Sequence, residues 1–378
     1  MDFSISEDQQ SAQQLAQQIL TDKTDATRLA EIEQHPARFD RELWQALADA
    51  GLLGLSIDEQ YGGMGLGYFA LTLLCEEVGR TVAPIPVLPV LATAATTIQQ
   101  FGPDAMKEAW LPGIASGDVL IGAALEEYGN DDATDPAAIA TAIGGGYQLS
   151  GTKIAVSLAD SCSRVLLSAR ANGELLAVLV DPQAEGVSLQ PQVVTSGETR
   201  FELRLENVLI AESDVLAAGG AAARALTWAM QATRVALCAT AVGLTDKMMR
   251  MTGSYTSERE QFGRAVATFQ AVSHRVADCF IDVECLRLVT QQAASLLDAG
   301  GDATNAVQVA KVWCGDVTHR VSQASQHCHG GAGVDRDYPL HRYCLWARQL
   351  ELAAGSGASQ LGALGESIAQ SWLSKASA

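Results

Sequence analysis

The feature that most constrains how this chain of 378 residues can fold is that its hydrophobic period changes twice along its length. Through about residue 115, apolar side chains recur at three- or four-residue steps, as on the buried stripe of a helix. Residues 4–20 form one such stretch. Residues 41–50 form another, with Leu43, Trp44 and Leu47 as core and Gly51 as its stop. Gly62, Gly63, Gly65 and Gly67 read as a loop and 68–78 as a further helix. Pro84, Pro86 and Pro89 read as a connector before an Ala-rich helix. The period then shortens. Residues 119–125 form a short apolar run, the runs at 165–169 and 175–180 are β-type, and 147–153 reads as a strand running into a turn. Phe201, Leu203 and Leu205 alternate with Glu202, Arg204 and Glu206, the pattern of a half-buried strand. Gly144, Gly145 and Gly146, and Asp181 with Pro182, read as turns. Long Ala- and Leu-rich helices then return at 221–251, from 257 to about 297, and at 304–327, with shorter ones at the end. Antiparallel helices with short joints predict a four-helix bundle. The expected fold class is α+β, mostly α. It comprises an N-terminal helical domain (1–115), a middle β domain (116–212) and a C-terminal helical bundle (213–378).

Charge narrows the choice of partners. The net charge is −19, from 44 acidic and 25 basic residues, which argues against nucleic acid or an anionic membrane as the main partner. Local arginines can still bind an anion against that background field. Eight cysteines lie without a paired CxxC spacing, so neither a disulfide framework nor a zinc site is indicated. The N-terminal stretch MDFSISEDQQ is polar and acidic, unlike a secretory signal. No apolar run reaches the roughly 18 residues of a membrane span. A cytoplasmic setting is expected.

The densest local chemistry lies at 255–274, YTSEREQFGRAVATFQAVSH. Val266, Phe269, Val272 and Val276 fall at helical spacing and predict one buried helical face. Before them, Arg259, Gln261, Phe262, Gly263 and Arg264 form a cationic and aromatic knot. Arginine offers a planar fork of donors suited to phosphate, and Gly263 lets the backbone come close to a ligand. On residue chemistry alone, an amphipathic helix with a solvated charged entrance is the favoured reading of the stretch.

Tyr255-x-x-x-Arg259-x-Gln261-Phe262-Gly263 followed by Phe269-Gln270 resembles the signature of the acyl-CoA dehydrogenase family. Two further stretches support the resemblance. One is His329-Gly330-Gly331-Ala332-Gly333 with Asp337-Tyr338-Pro339. The other is Gly51-Leu52-Leu53-Gly54 with Glu59-Gln60-Tyr61-Gly62-Gly63. All three stand in the family's order, so the resemblance spans nearly the whole chain. It implies FAD as cofactor, an acyl-CoA thioester as substrate, and an electron-transferring flavoprotein as electron acceptor. It also implies that Arg259, Gln261, Phe262, Val266, Phe269, Gln270, His327, Gly330 and Gly331 hold the adenosine and pyrophosphate end of a neighbouring subunit's FAD. His327 stands where the family usually has Gln. His327 and His329 also raise a metal site, but no third ligand accompanies them.

The resemblance breaks where the chemistry should be. The reaction needs a carboxylate close to the α carbon to take its proton. In many members it is the Glu of a Glu-Gly-Thr triplet, which here reads Ala354-Gly355-Ser356. In others it precedes an arginine on a long helix, where this chain has Thr233 before Arg234. The strand whose Trp and Thr lie against the flavin in the family reads Gly151-Thr152-Lys153-Ile154-Ala155-Val156-Ser157, with Ala155 for Trp and Ser157 for Thr. The preceding loop reads Glu126-Glu127-Tyr128-Gly129-Asn130-Asp131 and lacks the usual Ser-Asp ending. The surface serving a neighbour is kept and the chain's own pocket is damaged. This resembles the non-catalytic partner subunit of actinobacterial heteromeric (α2β2) steroid-type acyl-CoA dehydrogenases. Two alternatives stay open: a homotetrameric dehydrogenase with a displaced base such as Glu351, one helical turn before Ala354, and a non-enzymatic scaffold relative. Taken by itself, Glu351 reads as a solvated helix-surface residue.

Overall fold

The computed structural model describes residues 3–376. Six helices come first: α1 (Glu7–Lys23), α2 (Ala26–Gln34), α3 (Arg41–Asp49), α4 (Gly67–Thr81), α5 (Thr96–Phe101) and α6 (Asp104–Ala115). Ser6 and Gln9 cap α1 reciprocally, each side chain accepting the other's backbone N–H. Pro89 does not lie in an open connector. It sits inside a π-helical segment, Val87–Ala95, that runs straight into α5.

Eight strands follow: β1 (Ile121–Ala124), β2 (Ile139–Ile143), β3 (Gly146–Ser157), β4 (Arg164–Ala171), β5 (Glu174–Val180), β6 (Val187–Gln192), β7 (Arg200–Ala211) and β8 (Val215–Ala218). They form one sheet in the order β6-β7-β3-β2-β4-β5-β8, and β1 pairs in parallel with the start of β4. No turn follows the first half of β3. The strand runs on to Ser157 through two register shifts against β7, the second between Lys153 and Val156. Such a bulge re-aims side chains locally. Glu202 departs from the expected outward alternation: it is buried against Tyr128, whose hydroxyl donates to it, and Arg204.

The remaining helices are α7 (Gly219–Glu258), α8 (Gln270–Asp298), α9 (Thr304–His329), α10 (Leu340–Leu352) and α11 (Gly357–Ala376). The stretch from 257 to 297 is not one helix. Between α7 and α8 the chain makes a hairpin, β9 (Glu260–Gln261) with β10 (Arg264–Ala265), and then a 3₁₀ turn over Val266–Thr268. The face marked by Val266, Phe269, Val272 and Val276 is only half-buried. Apolar spacing set that expectation, but in the single chain little covers this face.

The helical layers join at a close crossing of α4 and α7. A Cβ added at Gly79 would sit 1.9 Å from the Thr240 carbonyl oxygen, and one at Gly243 would sit 1.8 Å from that of Glu76. An ion network surrounds the crossing. Arg80 pairs with Glu76 (2.8 Å), Glu77 (2.9 Å) and Asp246, and Arg287 of α8 also reaches Glu76. Burial pushes the Asp246 carboxyl up, but Arg250 and Arg80 outweigh it and hold the group below its usual range. Gln13 of α1 donates to Glu77 (3.2 Å), and Tyr343 of α10 donates to the Arg80 carbonyl (3.0 Å). Inside the sheet, Lys153 is fully buried, with Nζ 2.7 Å from Glu127 Oε1 and 3.1 Å from Ser168 Oγ. Among the described residues no helix is long and apolar enough to cross a membrane.

Gly243→Ala forces α4 and α7 apart and is expected to cost about 1–3 kcal/mol or more in urea unfolding. An unchanged midpoint would contradict the crossing. Lys153→Met strands Glu127 in the sheet and is expected to cost about 3–5 kcal/mol, with part recovered in the Lys153→Met/Glu127→Gln double variant. Burial raises the Glu127 carboxyl, but Lys153 and the N–H groups of Ala137 and Ala138 outweigh it and leave it below its ordinary value. Its contribution is therefore complete above about pH 4.3 and is lost as pH falls through the folded value. The Lys153→Met variant should show a shallower acid limb in a pH series of melts.

Candidate functional site

Two regions carry the chemistry. The first is the surface clasp at the α7–α8 junction. The hairpin turns at Phe262 and Gly263, with φ of +57° and +76°. Two residues with positive φ define the turn that best matches strand twist, and glycine suits the second position. Phenylalanine is a costly choice for the first, and this one is 93% exposed. A large apolar ring held out in a strained turn points to a ligand or partner that covers it. Phe269 meets Phe262 edge-on at 6.2 Å and lies under the Arg264 guanidinium at 4.0 Å. Arg259 is exposed and has no side-chain partner among the described residues, while its carbonyl accepts from Val266 (2.8 Å). Gln261 is exposed and donates to the Glu260 carbonyl (2.7 Å). Val266 lies half-buried in the 3₁₀ turn, and Gln270 is the exposed first residue of α8.

The second segment of the clasp ends α9. His327 is exposed, and Gly330 (φ +59°) and Gly331 face open space, where an added Cβ would meet nothing within 4 Å. An aromatic stack joins the two segments. Tyr255 lies on His329 at 4.4 Å and 24°, and Tyr338 closes the group. His329 Nδ1 donates to the Ser325 carbonyl (2.7 Å), so Nε2 accepts from the Tyr338 hydroxyl (3.1 Å). Burial pushes the His329 imidazole below its usual value, which keeps it neutral and in this tautomer. No cluster of three metal-ligating side chains exists among the described residues.

The other region is a half-open cleft of about 90 Å³ between the π-helical segment, the sheet, α7 and the α10–α11 connection. It brings together Ala155, Ser157, Thr233 and Ala354, four positions far apart in the chain. The bulge in β3 aims Ala155 at the cleft with φ +56°, and Gln192 Oε1 accepts its N–H (2.8 Å). The Thr93 and Thr233 hydroxyls lie 2.7 Å apart. Ala354 (φ +54°) is tied at both ends: its N–H donates to Glu126 Oε1 (3.1 Å) and its carbonyl accepts from Arg234 Nε (2.9 Å). Neither a methyl nor a threonine hydroxyl can take a proton at neutral pH. Glu351 does not line the cleft. Its carboxylate pairs with Arg348 and with His319 Nδ1 (3.3 Å), so it is a half-buried network member and not a solvated surface group. Sequence reasoning missed two charged groups in the lining, Glu126 and Arg200. Glu126 was visible only as part of a loop, and nothing local marks Arg200.

Comparisons with known proteins decide the family. Residues 6–118 match the description "Acyl-CoA dehydrogenase, N-terminal domain" and residues 223–369 match "Acyl-CoA dehydrogenase, C-terminal domain". The acyl-CoA dehydrogenase FadE27 of Mycobacterium tuberculosis is 31% identical over 98% of this chain and 99% of its own length. This chain belongs to the acyl-CoA dehydrogenase family. Among solved structures of the family, a variant of the Tcur3481-Tcur3483 steroid ACAD is 39% identical, covers 97% of this chain and 99% of its own, and superposes with a TM-score of 0.91. The ChsE4-ChsE5 complex from Mycobacterium tuberculosis is 31% identical over 98% and 99% of the two chains, with a TM-score of 0.92. Both names denote assemblies of two different chains.

The left-handed backbone at Ala354 carries about 1–2 kcal/mol of strain, against a glycine entropy cost of about 0.5–1 kcal/mol. Ala354→Gly is therefore expected to raise stability by about 0.5–1 kcal/mol in urea unfolding. A loss of stability would show that this residue is not held as described.

Proposed function

We propose that this chain is the non-catalytic subunit of an FAD-dependent acyl-CoA dehydrogenase. It completes the FAD site of a partner chain that carries the base. One observation carries the reading: the exposed clasp is largely kept while the cleft has Ala354 and Thr233 at the base positions. FAD, when bound, supplies the hydride acceptor for α,β-dehydrogenation of the thioester. This chain's residues do the holding. Arg259 offers charge-assisted bonds to pyrophosphate. Phe262, Val266 and Phe269 offer apolar cover, and Gln261, Gln270 and His327 offer polar contacts. Gly330 and Gly331 admit a close backbone approach. The open space at these glycines and the unpartnered Arg259 fit such a group.

The assembly is a cytoplasmic α2β2 heterotetramer with a second acyl-CoA dehydrogenase-like subunit, passing electrons to an electron-transferring flavoprotein. The substrate is an acyl-CoA, and a steroid side-chain CoA is suggested by the steroid ACAD likeness. The three parts of the chain divide at about residues 115 and 212.

The test is to purify this chain alone and together with a co-expressed family neighbour, and to measure bound flavin by absorbance. Little FAD alone and about one per pair together is expected. One FAD per isolated chain, with dehydrogenase activity, would overturn the reading. In the pair, Arg259→Ala should weaken FAD retention by roughly 10-fold or more, the equivalent of a lost charged hydrogen bond of about 1.5–3 kcal/mol.

A further inference from the structure

The geometry points to Glu126 as the residue that closes this chain's own cleft to a flavin ring. The inference rests on the half-site reading and adds the device that enforces it. Among the described residues lining the cleft, Glu126 is the only carboxylate, and it lies beside Ala155, where the family has an aromatic wall. It is pinned twice. Its carbonyl accepts from the Ile154 N–H (3.0 Å), which fixes the backbone next to the β3 bulge. Its Oε1 accepts from the Ala354 N–H (3.1 Å). Arg234 holds the carbonyl of the same Ala354, which keeps the N–H of that residue aimed at the carboxylate.

An ionised carboxylate only accepts hydrogen bonds. The polar edge of a flavin presents four acceptors (N1, O2, O4 and N5) against one N–H donor, so an acceptor-only group in the cleft matches that edge poorly. A flat ring laid over the cleft would also take the carboxylate out of water, although the second oxygen of Glu126 has no hydrogen-bond partner among the described residues. Burial of an incompletely paired charge opposes binding. The barrier is therefore the one carboxylate of a lining whose other charged group, Arg200, pairs with Glu198 (2.9 Å). The lost aromatic wall weakens ring binding, and Glu126 reverses its sign.

The experiment counts FAD sites on the assembled pair by equilibrium dialysis at saturating flavin, with native mass spectrometry confirming the assembly. The wild-type pair is expected to hold about one FAD, and the pair carrying Glu126→Gln about two, because glutamine keeps the Ala354 bond and removes the charge. Glu126→Asp is too short for Ala354 but keeps the charge, and it should stay at one. Glu126→Ser replaces Glu126→Gln in the comparison if the glutamine chain does not assemble. A wild-type pair with two FAD would refute the half-site reading itself. A wild-type pair with one whose charge-neutral variant also holds one would refute only the role of Glu126. A gain in Glu126→Asp would assign the exclusion to the latched turn and overturn the proposal. It would also be overturned if Glu126→Gln abolished dehydrogenation at unchanged FAD content, which would make Glu126 the base.

Discussion

The glycine-to-backbone crossing of α4 and α7 sets the frame for both functional regions. α7 runs unbroken for 40 residues. Its first half carries Thr233 into the cleft and Arg234 to the Ala354 carbonyl, and its C-terminal end delivers Tyr255 and Arg259 to the surface clasp. At Gly79 and Gly243 the two helices approach so closely that a methyl on either would overlap the other's carbonyl. Apolar contact at that range holds the axis, and the buried cluster of Arg80, Glu76, Glu77, Asp246 and Arg287 fixes its rotation. Charges this buried stabilise only when fully paired, so a helix turned out of register would break the network.

From that frame the asymmetry follows. At one end of α7 the chain spends strain to present groups outward: Phe262 in a left-handed turn, Arg259 with no side-chain partner among the described residues, two glycines facing open space. At the other end the base positions and the β3 bulge are tied inward. Ala354 is bonded at both its N–H and its carbonyl, the Thr93 and Thr233 hydroxyls lie against each other, and Ala155 is capped by Gln192. One end is built to receive, and at the other the positions where a base would stand are already bonded. The half-exposed face of α8 beyond the hairpin belongs with the receiving end.

Much of this was legible in the residues, and the limits have physical causes. The double change of period revealed the order of helices, strands and helices, because burial of one face imposes 3.6- or 2-residue spacing locally. The clasp residues were legible as a motif, but their hairpin was not. Val266, Phe269, Val272 and Val276 keep helical spacing across a segment where Phe262 and Gly263 break the helix. The signal that could have shown it was the Gly263 that follows an aromatic residue inside an otherwise helical pattern. The buried Glu127–Lys153 pair was hidden because a lysine in a strand ordinarily reads as outward-facing. Thr233 and Ala354 were paired only through family resemblance, and Glu126 became visible only when the fold placed its carboxylate against the Ala354 N–H.

A cryo-electron microscopy map of the assembled pair with FAD bound tests the asymmetry most directly. The account predicts density for the adenosine and pyrophosphate against Arg259, Phe262 and Gly330–Gly331 of this chain, its isoalloxazine seated in the other subunit, and no flavin between Ala155 and Ala354. A flavin ring lying in this chain's own cleft would contradict it.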